Sequence, residues 1–110
     1  MIIGIPKEIM HDEGRVSAIP ETVKKMVADG AAVLVESGAG AGSFYSDEEY
    51  KAAGAELVDD VADVYARADV ILKVKEPLFN EAKGVHEVDM MKKGQYLICL
   101  LYTSDAADDR

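Results

Sequence analysis

Short apolar runs rich in β-branched residues recur along the chain, and stretches with helical spacing separate them. Runs of this length and composition are typical of strands in a folded domain. Five such runs predict strands at residues 2–5, 32–36, 56–58, 70–74 and 96–101.

Helix signals lie in the connections between these runs. Pro20 is placed for the first turn of a helix whose apolar positions follow helical spacing, and Gly30 is placed for its end. Ser46, followed three residues later by Glu49, has the pattern of a capping box, in which each side chain satisfies a backbone amide. This box predicts a second helix over residues 47–53.

The remaining connections complete an alternating order of strands and helices. Asp59 or Asp60 can cap a third helix, and a short fourth helix is expected over residues 87–92. Strands joined through helices favour a parallel sheet with right-handed crossovers. The apolar strand at 70–74 indicates cover on both faces. We therefore predict a three-layer α/β fold of order βαβαβαβαβ.

Composition and charge narrow the range of functions. The 110 residues suit a single domain, and 12 basic against 21 acidic residues give a net charge of −9. Long-range repulsion then opposes nonspecific binding to nucleic acid or to an anionic membrane. The lone Cys99 is expected to be a buried structural thiol, and the N-terminus lacks the pattern of a secretory signal. These features predict an acidic cytoplasmic protein.

Candidate ligand-binding residues follow the first and fourth predicted strands, because ligands of open parallel sheets collect beyond the carboxyl ends of strands. The segment after the first strand carries Lys7, Glu8, His11 and Arg15. Lys75 follows the fourth strand, so Arg15 and Lys75 are predicted to converge on one edge and to suit an anionic small molecule. The alternative is that neighbouring acidic residues neutralise both cations, the candidates being Asp12, Glu13 and Glu76.

Two other features resemble ligand sites less closely. Gly38, Gly40 and Gly42 follow the second strand, whereas a dinucleotide fingerprint follows the first and has another spacing, so a structural loop is predicted. His11 and His86 lie 75 positions apart without clustered partners, which argues against a metal site. We therefore predict no cofactor-binding or metal-binding residue in this chain.

The C-terminal residues 103–110 depart from the pattern of the rest. They contain three Asp and one Arg and lack apolar periodicity. One interpretation is an ordinary polar tail, and the other is a reading frame truncated or joined to foreign sequence. We expect a non-native tail that packs against nothing.

Several blocks of the sequence resemble one known family. GIPKE, GRVSAIPETVKKM, VLVESGAGAGSF with SDEEYKAAGAELV, and ILKVKEPL are similar to the N-terminal domain of the alanine dehydrogenase and pyridine nucleotide transhydrogenase family. The resemblance implies a partial Rossmann-like (flavodoxin-like) N-terminal domain over residues 1–102. It also implies a longer protein in which a separate domain binds NAD, so that this fragment alone would be inactive.

The resemblance also implies roles for individual residues. In alanine dehydrogenases, the residues corresponding to Arg15 and Lys75 hold the carboxylate and the keto group of the substrate. The family's catalytic histidine falls at Tyr102, where a phenol with a pKa of about 10 is a poor replacement for an imidazole of about 6.5. No catalytic residue is therefore expected in this chain, and we interpret Tyr102 as part of the foreign tail.

Two branches of the family are candidates for the function. The stretch FNEAKGVHEVDMMKKGQ resembles transhydrogenase α subunits, which pass hydride between NADH and an NADP held by a partner component, beside a membrane β subunit. KVKEP with Lys75 instead matches alanine dehydrogenases, which convert alanine to pyruvate with NAD. We expect the transhydrogenase branch, with alanine dehydrogenase as the alternative and a homo-oligomer as the full-length assembly. A non-catalytic α/β binding module is the rival from another class.

Overall fold

The computed structural model describes residues 1–9, 16–74, 79–81 and 83–99. Within these residues β5 and β6 form an antiparallel hairpin, and the other strands form one parallel sheet. In chain order the strands are β1 (Ile2–Ile5), β2 (Ala32–Glu36), β3 (Glu56–Val58), β4 (Val70–Lys73), β5 (Phe79–Asn80), β6 (Val85–His86) and β7 (Tyr96–Cys99).

Helices connect the strands of the parallel sheet, and their starts carry the signals expected from the sequence. They are α1 (Pro20–Ala28), α2 (Asp47–Ala52), α3 (Val61–Arg67) and α4 (Glu87–Met90). The capping box of α2 is confirmed, because the amide of Glu49 donates to Ser46 Oγ at 3.2 Å and the amide of Ser46 donates to Glu49 Oε1 at 2.9 Å. Of the two candidate caps for α3, it is Asp60 that accepts a helix amide, at 3.0 Å.

The order of the parallel strands defines where a ligand would bind. The sheet runs β3-β2-β1-β4-β7, which is the Rossmann order and not the flavodoxin order. The direction of winding reverses between β1 and β4, which pair in parallel through Ile3 and Val70. We call the carboxyl ends of these two strands the switch point, since open sheets of this kind bind ligands there.

Alternation of side chains along the strands produces one core on each face of the sheet. Val33 and Val35 of β2 pack with residues of α1 and α2, whereas Leu34 between them packs with residues of α3. Successive side chains of a strand point to opposite faces, so a strand with three consecutive buried residues must be covered on both. The predicted three-layer parallel fold is therefore confirmed.

Gly4 allows α3 to approach β1 closely. A Cβ at this position would lie 2.8 Å from Val64 Cγ1 and 2.9 Å from Ala68 Cβ, both on the α3 side. These distances are shorter than van der Waals contact, so any larger residue would force the helix away from the sheet. The close approach brings α3 over the switch point.

The structure corrects several element boundaries. β4 ends at Lys73 and not at residue 74, α2 ends at Ala52 and not at residue 53, and α4 ends at Met90 and not at residue 92. The last difference has a local cause, because the amide of Lys92 donates to the side chain of Gln95 at 3.3 Å. β7 is described as far as Cys99, so the predicted extension to residue 101 lies outside the described residues.

The hairpin of β5 and β6 was not expected from the sequence, which predicted only a helix between β4 and β7. Its turn is closed by Asn80, whose backbone oxygen accepts the amide of Gly84 at 2.8 Å and whose side chain accepts the amide of Lys83 at 3.1 Å. Gly84 has a positive φ of 72°. Asn and Gly at this spacing are turn residues, but two-residue strands are too short to show an alternating pattern.

β7 is an edge strand with one poorly covered face. Tyr96 is 71 % exposed and Ile98 is 46 % exposed, whereas Leu97 packs against the core on the α3 side. Cys99 is partly exposed, which corrects the expectation of a buried thiol. The apolar composition of this strand therefore overstated its burial.

Candidate functional site at the switch point

The sequence-predicted site residues Arg15 and Lys75 lie outside the described residues. The same holds for His11, for Tyr102 and for the predicted tail at 103–110. The convergence of the two cations therefore stays a prediction. The structure does describe the ends of β1 and β4, the strands that these residues follow.

A buried ion pair joins the two strand ends. Lys73 Nζ lies 3.0 Å from Glu8 Oε1, and the two side chains are 1 % and 2 % exposed. The second oxygen, Glu8 Oε2, accepts the backbone amide of Val74 at 2.8 Å. Because Glu8 follows β1 and Val74 follows β4, one carboxylate connects both sides of the switch point.

A second carboxylate completes the surroundings of the Lys73 ammonium. Glu87 Oε1, at the start of α4, lies 3.4 Å from Lys73 Nζ, and its side chain is 1 % exposed. The hydroxyl of Tyr65 on α3 donates to Glu87 Oε2 at 3.3 Å. We call Glu8, Lys73, Glu87 and Tyr65 the lysine cluster. It joins the segment after β1, the end of β4, and two helices of the same layer.

The lysine cluster is expensive to bury, so its mutual contacts are what make it tolerable. Each ion taken out of water loses several kcal/mol of solvation, and only close partners with good geometry offset that loss. Among the described residues every buried side-chain nitrogen or oxygen has a hydrogen-bond partner. Burial, followed by the negative charge of Glu87, raises the pKa of Tyr65, which therefore keeps its proton and acts as a donor.

A third carboxylate, Glu36, lies near the cluster at the end of β2. Burial raises its pKa above the usual value, with a smaller contribution from the charge of Glu87. Its Oε1 accepts the backbone amide of Lys7 at 2.8 Å, which opposes that rise. The segment after β1 is thus hydrogen-bonded to the end of β2 as well as to the end of β4.

The segment between β1 and α1 has a second contact with β4 at its far end. The hydroxyl of Ser17 donates to the backbone oxygen of Leu72 at 3.0 Å. Glu8 and Ser17 therefore anchor the two ends of this segment to consecutive residues of β4. Arg15 belongs to the stretch between these anchors.

The glycine-rich loop after β2 is engaged in its own contacts. The amide of Gly38 donates to Asp47 Oδ1 at 2.8 Å, where a dinucleotide site would offer its amides to phosphate. Ser37 Oγ donates to Asp59 Oδ1 at 2.7 Å. A Cβ at Gly40 would lie 2.5 Å from Tyr50 Cε2, so this glycine is needed for packing against α2. These contacts fit a structural loop and do not fit a pyrophosphate site.

Sequence reasoning missed the lysine cluster because Lys73 sits inside an otherwise apolar strand. A lysine in such a strand has no route to solvent on either covered face and must find a carboxylate. That argument pointed to a partner but could not choose among the 21 acidic residues. Among the described residues, no group of three His, Cys, Asp or Glu side chains could hold a metal ion.

Comparison with known proteins identifies the family to which this arrangement belongs. The fold and the switch point define a Rossmann-type α/β domain with a polar site at the carboxyl edge of its sheet. A family model described as alanine dehydrogenase/PNT, N-terminal domain, matches residues 4–109. The chain belongs to this family, as the sequence resemblance predicted.

Relatives from both branches of the family are equally similar to the chain. Alanine dehydrogenase of Methanococcus maripaludis is 44 % identical over 102 residues, which are 93 % of this chain and 26 % of the relative. An NAD(P) transhydrogenase subunit alpha chain of Rhodospirillum rubrum is 44 % identical over 101 residues, which are 92 % of this chain and 26 % of the relative. The chain thus spans about a quarter of the length of these relatives.

Solved structures give the same result. An L-alanine dehydrogenase superposes with a TM-score of 0.74 at 36 % identity, covering 88 % of this chain and 25 % of the other. A transhydrogenase from Sinorhizobium meliloti superposes with a TM-score of 0.77 at 38 % identity, covering 97 % of this chain and 30 % of the other. The predicted oxidoreductase family and the Rossmann-like fold are confirmed, and the two branches match equally well. In the described part of the chain, no helix is long and apolar enough to cross a membrane.

Proposed function

We propose that this chain forms the N-terminal part of a nicotinamide nucleotide-dependent oxidoreductase, and that Arg15 and Lys75 bind an anion at the switch point. The observation that carries the proposal is the strand order. Arg15 and Lys75 follow β1 and β4 in sequence, and the winding of the sheet reverses between these two strands. The contact of Glu8 with Lys73 and Val74 adds support, because it draws the segment after β1 onto the end of β4.

The two cations have chemically different roles in this proposal. The Arg15 guanidinium would hold a carboxylate through two parallel hydrogen bonds, and the Lys75 ammonium would polarise a neighbouring keto oxygen. Lys73 is not assigned to the ligand, since it is buried between Glu8 and Glu87. A small 2-keto acid has both groups that this pair requires.

We assign nucleotide binding to other parts of the longer protein. The glycine-rich loop does not fit a pyrophosphate, because the amide of Gly38 is taken by Asp47. NAD would be held mainly by a second domain, for which the greater length of the relatives leaves room. In the transhydrogenase branch NADP would be bound by a partner component beside a membrane β subunit, with this domain at the cytoplasmic face. The full-length protein would form a homo-oligomer.

Within the family we place a transhydrogenase α subunit first. The segment that resembles transhydrogenase sequences runs from Phe79 to Gln95 and forms the hairpin and α4, which supplies Glu87 to the lysine cluster. The superposition with the transhydrogenase structure covers more of this chain than the superposition with alanine dehydrogenase. Alanine dehydrogenase is the second candidate, and the presence of Lys75 in KVKEP favours it.

The complete reading frame that contains these residues decides between the two candidates. Its product should be assayed for hydride exchange between NADH and NADP, with the partner component present, and separately for NADH oxidation that depends on pyruvate and ammonia. Exchange without a pyruvate requirement supports the transhydrogenase. Oxidation that needs both pyruvate and ammonia supports the dehydrogenase, and neither activity would refute the proposal.

Arg15→Ala in the same full-length protein tests the anion site. If the protein is a dehydrogenase, loss of a charge-assisted hydrogen bond should weaken pyruvate binding by about tenfold or more. In a transhydrogenase, nucleotide exchange should change less, because no keto acid is bound. Arg67→Ala is the matched control, since Arg67 forms an exposed ion pair with Glu56. Equal effects of both variants on pyruvate binding would contradict the role of Arg15.

A further inference from the structure

Two side chains from the segment between β1 and α1 contact three consecutive residues at the end of β4. Ser17 Oγ donates to the oxygen of Leu72 at 3.0 Å. Glu8 receives Lys73 Nζ at 3.0 Å and the amide of Val74 at 2.8 Å. The segment is therefore closed into a loop whose two ends share one short stretch of β4.

The positions of these anchors in the sequence relate them to the proposed anion site. Arg15 precedes Ser17 by two residues, and Lys75 directly follows Val74. Each proposed ligand-binding residue is thus within two residues of an anchor. A loop with only one anchor would leave Arg15 free to take many positions relative to β4, at an entropic cost for any ligand that must be bridged.

We infer that Glu8, Lys73 and Ser17 are positioning residues, which hold the loop carrying Arg15 against the strand end carrying Lys75. The inference rests on the proposed function for the identity of the two residues that are positioned. None of the three touches the ligand in this scheme. Glu8 and Lys73 act through a buried, directional ion pair, and Ser17 acts through a single hydroxyl.

The chemistry of the anchors distinguishes positioning from plain stability. Well-packed apolar side chains would stabilise the same region at least as well as a buried ion pair, because burying charges is costly. An ammonium between Glu8 and Glu87 and an amide on the second oxygen of Glu8 instead fix where the segment lies along β4. Directional contacts of this kind are expected where a loop must be held in one register.

A crosslinking experiment on the 110-residue chain measures the positioning without any ligand. Cysteines replace Arg15 and Lys75 in a Cys99→Ser background, and a bis-thiosulfonate reagent with a two-carbon spacer joins them within one chain. The rate of intrachain crosslinking reports how often the two positions meet. We expect rapid crosslinking in this parent chain.

Ser17→Ala should then slow the intrachain reaction about fivefold, the factor expected for one hydrogen bond, and Ser17→Thr should restore it. Ser37→Ala is the matched control, because the Ser37 hydroxyl also follows a strand and donates to an aspartate at 2.7 Å, away from β4. The double variant Glu8→Gln/Lys73→Met should slow crosslinking further. Thermal unfolding of each chain shows whether it is folded, and Ser17→Ala keeps the test valid if the double variant is not.

Two results would overturn the inference. One is a parent chain in which the intrachain product does not form faster than crosslinks between chains. The other is a Ser17→Ala chain that crosslinks at the rate of the Ser37→Ala control. Failure of the proposed function looks different, because there the crosslinking pattern holds while Arg15→Ala leaves pyruvate binding and hydride exchange of the full-length protein unchanged.

Discussion

The lysine cluster and the glycine-rich loop lie at the same carboxyl edge of the sheet, and they differ in what their sequences suggest. Gly38, Gly40 and Gly42 look like a phosphate-binding loop, yet the described amide of Gly38 is bound by Asp47. Lys73 looks like an interruption in an apolar strand, yet it is the centre of a buried charge cluster. The comparison teaches that a local motif indicates chemistry only if its polar groups are left for a ligand.

The largest expected effect is on the lysine cluster. Lys73→Met removes the ammonium and leaves the buried carboxylates of Glu8 and Glu87 facing each other, so we expect a loss of about 3–5 kcal/mol in the free energy of unfolding. Urea titration of the folded chain measures it. Adding Glu8→Gln should recover part of the loss. Arg67→Met, which breaks only an exposed ion pair, is the control and should change little.

The glycine-rich loop should respond to size and not to charge. Gly40→Ala places a Cβ 2.5 Å from Tyr50 Cε2, and such overpacking typically costs about 1–3 kcal/mol. Gly42→Ala is the control, since Gly42 is exposed in the same loop. Thermal unfolding of the two variants separates a packing glycine from an exposed one, and equal midpoints would contradict the packing role of Gly40.

Glu36 connects the two regions and should show a smaller, pH-dependent effect. Its pKa is raised above 4.5 in the folded state by burial, so folding favours the protonated form and the carboxylate opposes folding at neutral pH. The wild-type chain should therefore gain stability relative to Glu36→Gln as the pH falls through the raised pKa. Glu36→Gln should be the more stable at pH 7, and the difference should close by about pH 4. A difference that does not change with pH would contradict this assignment.

The smallest effect concerns nucleotide binding by the chain alone. Because the loop after β2 lacks the place and spacing of a dinucleotide fingerprint, calorimetry should show NAD binding no tighter than about millimolar. Micromolar affinity would mean that the contacts of Gly38 and Asp47 are displaced by the nucleotide. That result would reverse the comparison between the two regions.

Much of the fold was accessible from the sequence because its signals are local. Pro20, the Ser46–Glu49 box and the five apolar runs each act over a few residues, and the parallel order follows from the helical connections. The hairpin was missed because its strands are two residues long. The general place of the site followed from topology, since ligands of such sheets bind at the carboxyl edge.

The lysine cluster could not be predicted because its contacts span the chain. Glu8 and Lys73 are separated by 65 positions, and no periodicity relates them. The exposure of Cys99 was misjudged for a related reason, since an apolar run does not show whether its strand lies at the centre or at the edge of a sheet. Partners and neighbours across long separations are set by the tertiary fold.

The same separation of 65 residues has a consequence for the kinetics of folding. A contact that closes so long a loop with two charges still to be desolvated gains nothing until β1 and β4 are already paired. It should therefore form after the rate-limiting barrier, and Lys73→Met should accelerate unfolding while leaving the refolding rate nearly unchanged. In stopped-flow experiments the two arms of the chevron would separate these effects. The lysine cluster then acts as a lock on the native state, closing late and slowing escape.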